Sequence, residues 1–265
     1  MKKFILLFLC LVGIQAYSQE YGVVNISVCN LRSTANFDAE MVSQALLGTP
    51  VHVLQISTNG NPWPQVQTPD DYVGWVHYAG ITRMSKEEYS AWNAAPKVIV
   101  TALNGIVYQN ASEKSAVVSD IVAGDRLKYL GKKGAWLKVG FPDGRTGYIC
   151  NKTAQTEEQW RKKLDQSTEA ILATAQSMLG FPYIWAGMSP KGMDCSGFVR
   201  TALLKGDKSY PMQLEPAAVE KEIVDGLEKR KAILTIDWRY RILVFFWRLI
   251  PRCLWVRMKV VSSRP

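Results

Sequence analysis

Histidine is scarce in this chain, with two among 265 residues, His52 and His77. Cysteine is sparse as well: the five residues form no CxxC pair and no cluster with histidine. Structural zinc sites need closely spaced thiolate and imidazole ligands, so we expect no metal site, and we expect no other cofactor. Hydrophobic residues at 48% and charged residues at 21% are typical of an ordinary globular chain.

Acidic residues are outnumbered by basic ones, 23 to 32, which gives a net charge of +9. Such a balance suits anionic partners such as nucleic acid, acidic lipid or cell-wall polymer. No stretch combines a dense Lys/Arg stripe with a nucleic-acid fold motif, so we expect no nucleic-acid partner. The excess of basic residues is unevenly distributed, because the segment from Arg230 onward contains nine basic residues and a single acidic one, Asp237.

Long apolar runs are rare, and residues 4–14 form one directly behind Met1-Lys2-Lys3. Ala16 and Ser18 follow with the small-residue spacing that signal peptidase requires, so we predict a signal peptide at 1–18. The run is too short for a permanent membrane helix. We therefore expect an exported protein, periplasmic or extracellular after cleavage, with no stable membrane span in the mature chain.

Residues 20–95 and 96–152 repeat one pattern of short β runs separated by turns. In each, a tryptophan is predicted to open a strand, and a Gly-aromatic-aliphatic triplet follows, Gly74-Trp75-Val76 in the first and Gly147-Tyr148-Ile149 in the second. The pattern predicts two small β-barrels and resembles tandem bacterial SH3-like domains. Two roles stay open: the barrels contact wall peptides, or they only shape a neighbouring cleft.

The composition changes near residue 153 from β-rich to helix-rich. Apolar residues between Ile171 and Leu179 recur at helical spacing, and Gly180 is a stop signal. A second, shorter helix is expected before Pro96, where it would connect the two barrels.

The chemical signal is concentrated in residues 180–204. Cys195 follows a loop rich in turn residues, and apolar residues from Phe198 to Leu203 then recur at helical spacing, so Cys195 is expected to start a helix. The helix dipole and free N–H groups there favour a thiolate, the nucleophilic form of cysteine. The spacing alone is equally compatible with an inert buried cysteine behind a helix-capping Asp194.

The full string G-x-P-Y-x-W-x-G … G-x-D-C-S-G-F-V is more specific and closely resembles the signature of NlpC-type cysteine peptidases, which have a papain-like fold. It is most similar to the γ-D-glutamyl-L-diamino-acid endopeptidases, also called dipeptidyl-peptidase VI. The resemblance implies that Cys195 attacks the γ-D-Glu–diamino-acid amide of peptidoglycan stem peptides. A histidine, oriented by a third polar residue (His, Asn or Gln), would act as its base.

The same resemblance implies a substrate-binding set around the nucleophile. Tyr183, Asp194 and Ser196 would bind the free N-terminal L-Ala of the peptide, where a carboxylate suits an ammonium group. Tyr78 of the first barrel is a further candidate for closing this pocket. The diamino acid, lysine or diaminopimelate, is left open.

The resemblance weakens after Leu204, and no histidine follows Cys195. We interpret residues 153–204 as the N-terminal part of the peptidase domain and 205–265 as an aberrant basic tail, with a frameshift as the hypothesis for its origin. The expected fold is α+β: two small SH3-like β-barrels followed by an incomplete papain-like domain. The leading interpretation is a peptidase for cell-wall peptides that is inactive because the catalytic histidine is missing. The alternatives are a non-catalytic wall- or peptide-binding protein, and an active enzyme that recruits His77 or a partner's residue.

Overall fold

The computed structural model describes residues 20–57, 60–164 and 167–204. The predicted signal peptide at 1–18 and the basic tail at 205–265 lie outside the described residues. The described chain has an α+β fold, with two seven-stranded antiparallel sheets followed by a helical segment. None of its described helices is long and apolar enough to cross a membrane.

The first sheet forms the first predicted barrel and has the strand order β3-β2-β6-β5-β4-β1-β7. Along one strand, Val51 and Val53 are buried while His52 is exposed, which is the alternation of a half-buried strand. Five buried valines form one core cluster with Leu31 and Ile81, and each such side chain contributes about 1.5–3 kcal/mol on burial. The strands are β1 (Tyr21–Val24), β2 (Val28–Arg32), β3 (Met41–Leu46), β4 (Pro50–Ile56), β5 (Pro64–Gln67), β6 (Val73–Trp75) and β7 (Ile81–Met84).

The predicted connector helix is confirmed as α1 (Lys86–Ala94). It begins with a capping box, in which the Ser85 hydroxyl accepts from the Glu88 N–H and the Glu88 carboxylate accepts from the Ser85 N–H. The buried Trp92 fixes the helix to the first barrel, because its indole N–H donates to the Gly48 carbonyl at 3.3 Å.

The second sheet repeats the first, with the order β10-β9-β13-β12-β11-β8-β14. Its core includes Leu47 of the first barrel, so the two barrels share buried surface. Asp125 is buried at this junction, where its carboxylate accepts from the N–H of Leu47 at 3.1 Å and of Val122 at 2.8 Å. The strands are β8 (Lys97–Val100), β9 (Asn104–Tyr108), β10 (Val117–Val122), β11 (Arg126–Lys133), β12 (Trp136–Gly140), β13 (Thr146–Cys150) and β14 (Ala154–Thr156).

The helical segment packs against the second barrel. Trp160 and Leu204 lie in one buried cluster with Ile99, and the Trp160 indole N–H donates to the Leu204 carbonyl at 3.1 Å. The helix predicted up to Leu179 ends earlier, because residues 177–180 form turns. The elements are α2 (Glu157–Lys162), α3 (Thr168–Gln176), β15 (Met188–Ser189), β16 (Gly192–Met193) and α4 (Cys195–Leu203).

Candidate active site

Cys195 is the first residue of α4, as the sequence predicts, and Asp194 is its N-cap. One carboxylate oxygen of Asp194 accepts from the Gly197 N–H at 2.8 Å and from the Ser196 hydroxyl at 2.7 Å. Asp194 therefore satisfies a free N–H of the helix and also fixes the Ser196 side chain. The second oxygen of the carboxylate takes part in neither of these two bonds.

The loop before Cys195 is tightly packed against the start of α4. The Asp194 N–H donates to the Gly187 carbonyl at 3.0 Å, and Ala186 adopts a left-handed φ of 59°. A Cβ on Gly197 would lie 2.1 Å from the Gly187 carbonyl oxygen, so only glycine fits there. The glycine after Asp-Cys-Ser thus lets the loop and the helix hold Cys195 between them.

Burial raises the pKa of the Cys195 thiol, and the Asp194 carboxylate raises it further. The backbone N–H groups of Ser196 and Cys195 lower this pKa, as expected for a helix start, but they are outweighed. The helix start therefore favours the thiolate as expected, but burial and Asp194 set the direction of the net pKa shift. A reactive cysteine usually gains its thiolate from a neighbouring cation, and in these residues the charge acting on Cys195 is that of Asp194.

Tyr183 lies beside the nucleophile with its side chain 50% exposed. Burial raises the pKa of the Tyr183 phenol, and the charges of Cys195 and Asp194 raise it further. The three groups therefore lie within electrostatic reach of one another. The structure thus brings together the four site residues predicted from sequence, namely Tyr183, Asp194, Cys195 and Ser196. Their roles toward a substrate stay predictions.

The two histidines lie in aromatic clusters of the first barrel. The His77 ring contacts Phe37 at 5.0 Å and Tyr78 at 4.4 Å between centroids, and its Nδ1 accepts from the Ala79 N–H. The His52 ring contacts Tyr21 at 5.3 Å. Neither imidazole is among the groups that shift the pKa of Cys195.

Sequence reasoning missed the first-barrel residues that do approach the nucleophile helix. Burial raises the pKa of Tyr72, as do the charges of Asp70 and Asp194, whereas Arg200 lowers it. Arg200 of α4 lies 3.6 Å from the Asp70 carboxylate. Tyr72 of the first barrel therefore lies within electrostatic reach of Asp194. The role expected for Tyr78 stays a prediction.

A second set of missed contacts holds the loop that precedes Cys195. The Gln44 side-chain oxygen accepts from the buried Met188 N–H at 2.8 Å. Lys191 donates to the Ser27 hydroxyl at 2.8 Å and forms an ion pair with Asp120. Ser27 belongs to the first barrel and Asp120 to the second, so the loop is attached to both.

No three His, Cys, Asp or Glu side chains in the described ranges gather as a metal site would require. The site is instead a capped cysteine at a helix start, with a tyrosine and a carboxylate beside it, next to two SH3-type barrels. These features define a class of thiol-bearing modules combined with small β-barrels.

Comparisons with known families agree with this class. Residues 31–81 match the bacterial dipeptidyl-peptidase SH3 domain, residues 102–154 the bacterial SH3 domain, and residues 180–228 the NlpC/P60 family. The chain therefore carries two bacterial SH3 domains followed by an NlpC/P60 domain. The last match continues beyond Leu204, into residues that the structure does not describe.

Two curated relatives and one solved structure extend the comparison. The chain is 28% identical to a γ-D-glutamyl-L-lysine dipeptidyl-peptidase of Bacillus cereus, over 69% of this chain and 57% of that protein. It is 25% identical to dipeptidyl-peptidase 6 of Lysinibacillus sphaericus, over 69% and 68% of the two chains. The crystal structure of an NlpC/P60 family protein from Bacillus cereus superposes with a TM-score of 0.57 at 21% identity, over 73% of this chain and 76% of that one, which shows the shared fold.

Proposed function

We propose that this chain is built for the hydrolysis of peptidoglycan stem peptides at the γ-D-glutamyl–diamino-acid bond, with Cys195 as nucleophile. The observation that carries the proposal is the position of Cys195 at the start of α4, with Tyr183, Asp194 and Ser196 around it. The names of the relatives support this bond as the target, and the chain spans 57% of the Bacillus cereus relative.

The site suggests how the substrate would be bound. Asp194 carries a carboxylate that pairs with the α-ammonium of an N-terminal L-Ala, and a charge-assisted bond of this kind is about twice as strong as a neutral one. The hydroxyls of Ser196 and Tyr183 supply further donors and acceptors. A free N-terminus on the peptide would therefore determine specificity.

The chemical step needs a proton carrier. The Cys195 sulfur forms a thioester with the γ-carbonyl of D-Glu while the amide C–N bond breaks, and the thiol proton passes to the leaving amine. In this proposal the backbone N–H groups of Cys195 and Ser196, which act on the Cys195 thiol, also stabilise the oxyanion of the tetrahedral intermediate. Water then hydrolyses the thioester.

The base for this step is a histidine in the leading hypothesis, and both histidines of the chain lie in the first barrel. Burial and the Asp194 charge raise the pKa of Cys195, which disfavours the nucleophilic thiolate. We therefore propose that the 265-residue chain by itself binds the stem peptide without turning it over. The second candidate function is non-catalytic binding of the cell wall or its peptides through the two SH3-like barrels.

The proposed place of action is outside the cytoplasm, at the cell wall. The predicted signal peptide at 1–18 and the wall-hydrolase names of the relatives support export. The proposed partners are stem peptides and murein fragments.

Protection of Cys195 from alkylation tests the proposed site without requiring turnover. L-Ala-γ-D-Glu-L-Lys, or its diaminopimelate counterpart, should slow iodoacetamide labelling of Cys195, read out by peptide mass spectrometry. The N-acetylated tripeptide is the matched control and should protect far less, because it lacks the ammonium that Asp194 would pair with. Equal protection by both peptides, or by neither, would contradict the proposal.

A further inference from the structure

Lys191 lies at the tip of the hairpin formed by β15 and β16, a few residues before the nucleophile. The register of the two strands makes Pro190 and Lys191 a two-residue turn. Residues 188–190 and 192–193 are buried, whereas Lys191 is exposed. The partners of this lysine therefore determine how the tip of a buried hairpin is held against its surroundings.

Three side chains, one from each part of the fold, meet at this tip. The Lys191 ammonium forms an ion pair with Asp120 of β10 and donates to the Ser27 hydroxyl at 2.8 Å. That hydroxyl donates in turn to the Asp120 carboxylate at 2.9 Å. Burial raises the pKa of Asp120, but the hydrogen bonds from Lys191 and Ser27 outweigh it and bring this pKa below its ordinary value. We call Ser27, Asp120 and Lys191 the tip cluster.

Ser27 connects the tip cluster to the junction of the two barrels. The Ser27 side chain is buried, and the Ser27 carbonyl accepts from the Leu47 N–H at 3.2 Å. The same N–H donates to the Asp125 carboxylate of the second barrel. A hairpin held at this point therefore takes its orientation from both barrels together.

The other end of the hairpin leads directly into the nucleophile helix. Asp194 follows β16, and its N–H donates to the Gly187 carbonyl, against which Gly197 of α4 is packed. The hairpin and the start of α4 are thus one unit, and a shift of the tip would move Asp194 and Cys195 relative to the first barrel. Lys191 is not among the groups that shift the pKa of Cys195, so its charge does not act on the thiol directly.

We propose that Lys191 is a positioning residue for the substrate site, which acts through Ser27 and Asp120 to fix the orientation of Asp194 toward the first barrel. The proposal rests on the proposed function, because the group that is positioned is the carboxylate that binds the peptide ammonium. Both side chains of the ion pair are half-exposed, and a pair of this kind contributes little to global stability. Its effect is on alignment, because a small energy difference is enough to decide between two orientations of the hairpin.

A charge swap tests the tip cluster in the full chain. The measured quantity is the concentration of L-Ala-γ-D-Glu-L-Lys that halves iodoacetamide labelling of Cys195. Lys191→Glu places a like charge beside Asp120 and should raise this concentration about fivefold. Adding Asp120→Lys should restore it to within about twofold of the parent, because the Ser27 hydroxyl can donate to a carboxylate and accept from an ammonium at either position. Lys114→Glu, at an exposed lysine of the second barrel, is the matched control and should leave the concentration unchanged.

The pH profile of labelling separates alignment from loss of structure. Burial is the largest cause of the raised pKa of Cys195, so local unfolding would move the profile to lower pH, whereas a change of alignment leaves it in place. Weaker protection with an unchanged profile, restored by the swap, supports the proposal. Equal protection of the Lys191→Glu and Lys114→Glu variants, a loss that the swap does not restore, or a profile moved to lower pH would overturn it.

Hydrogen exchange provides a readout that does not depend on the peptide. If the tripeptide fails to protect the parent chain, the proposed function is wrong, and exchange at residues 187–194 then decides whether Lys191 positions the loop. Faster exchange there in Lys191→Glu, restored by the swap and absent from the control, supports a positioning role. Exchange equal to that of the parent would show that the tip cluster holds nothing in place.

Discussion

The two barrels share one strand order and even the same central turn, yet they contact different neighbours. Gly48 and Gly124 occupy equivalent turns with φ of 84° and 93°, and each N–H donates to the carbonyl of an equivalent valine at 2.9 Å. The residue after the glycine is Thr49 in the first barrel and Asp125 in the second. The backbone thus sets the barrel, whereas single side chains on its turns and faces decide what it contacts.

The difference extends to the nucleophile segment. The first barrel meets this segment through Gln44 and Asp70, and Tyr72 lies within electrostatic reach of Asp194. The second barrel contributes buried packing through Ile99 and the ion pair of Asp120 with Lys191. We infer that the first barrel shapes the site and the second anchors the segment, and four changes test that division.

The largest effect is expected for Asp125→Ala at the junction of the barrels. The change leaves the buried Val122 N–H without the Asp125 acceptor and leaves the Leu47 N–H with the Ser27 carbonyl alone, at 3.2 Å. It should lower the free energy of unfolding by about 2–3 kcal/mol. Chemical denaturation measures the loss. Asp143→Ala, at a partly exposed ion pair with Arg145, should cost less than about 1 kcal/mol, and an equal cost for both would contradict the account.

The equivalent glycines of the two barrels provide a matched pair. A Cβ on Gly147 would lie 2.5 Å from Val107 Cγ1 and 2.8 Å from the Tyr108 carbonyl oxygen. On Gly74 it would lie 2.8 Å from the Leu31 Cβ and 3.3 Å from the nearest backbone atom, the Arg32 carbonyl oxygen. Because the contacts at Gly147 are closer and include a backbone oxygen, Gly147→Ala should cost about 2 kcal/mol and Gly74→Ala less. Thermal unfolding of both variants measures the two losses of stability. A larger loss for Gly74→Ala than for Gly147→Ala would show that the two barrels relax differently around the added methyl group.

Gln44→Leu tests the contact between the first barrel and the loop before Cys195. Removal of the acceptor leaves the buried Met188 N–H unsatisfied, at a cost of about 1–2 kcal/mol. Hydrogen exchange should increase around residues 187–194 rather than throughout the barrel. Gln55→Leu, whose amide pairs with Gln65 on the surface, is the control and should leave exchange in the loop unchanged.

Asp194→Asn tests the electrostatics of the thiol. Asparagine still caps the helix, but it removes the negative charge that raises the pKa of Cys195. The thiolate should then form at lower pH, so iodoacetamide labelling at pH 8 should become faster and its pH profile should move to lower pH. Asp71→Asn, in the turn after β5, should leave the profile in place. A profile shifted to higher pH by Asp194→Asn would contradict the assignment.

Local patterns predicted much of this structure. The repeated glycine and tryptophan positions indicated both barrels, and the string around Cys195 indicated a capped nucleophile at a helix start. The contacts that position the nucleophile were not predictable, because Gln44 and Met188 are 144 residues apart. The net direction of the pKa shift of Cys195 was not predictable either, since burial and the Asp194 charge outweigh the helix-start N–H groups.

We propose that the stem peptide binds around Cys195 without turnover, because both histidines of the sequence lie in the first barrel. The most direct test is release of the diamino acid from L-Ala-γ-D-Glu-L-Lys and from the diaminopimelate tripeptide, followed by chromatography, beside a Cys195→Ala variant. The account predicts no release above that of the variant, together with retained protection of Cys195 by the tripeptide. Release that requires Cys195 would contradict it and would show that another group, in this chain or a partner, takes the thiol proton.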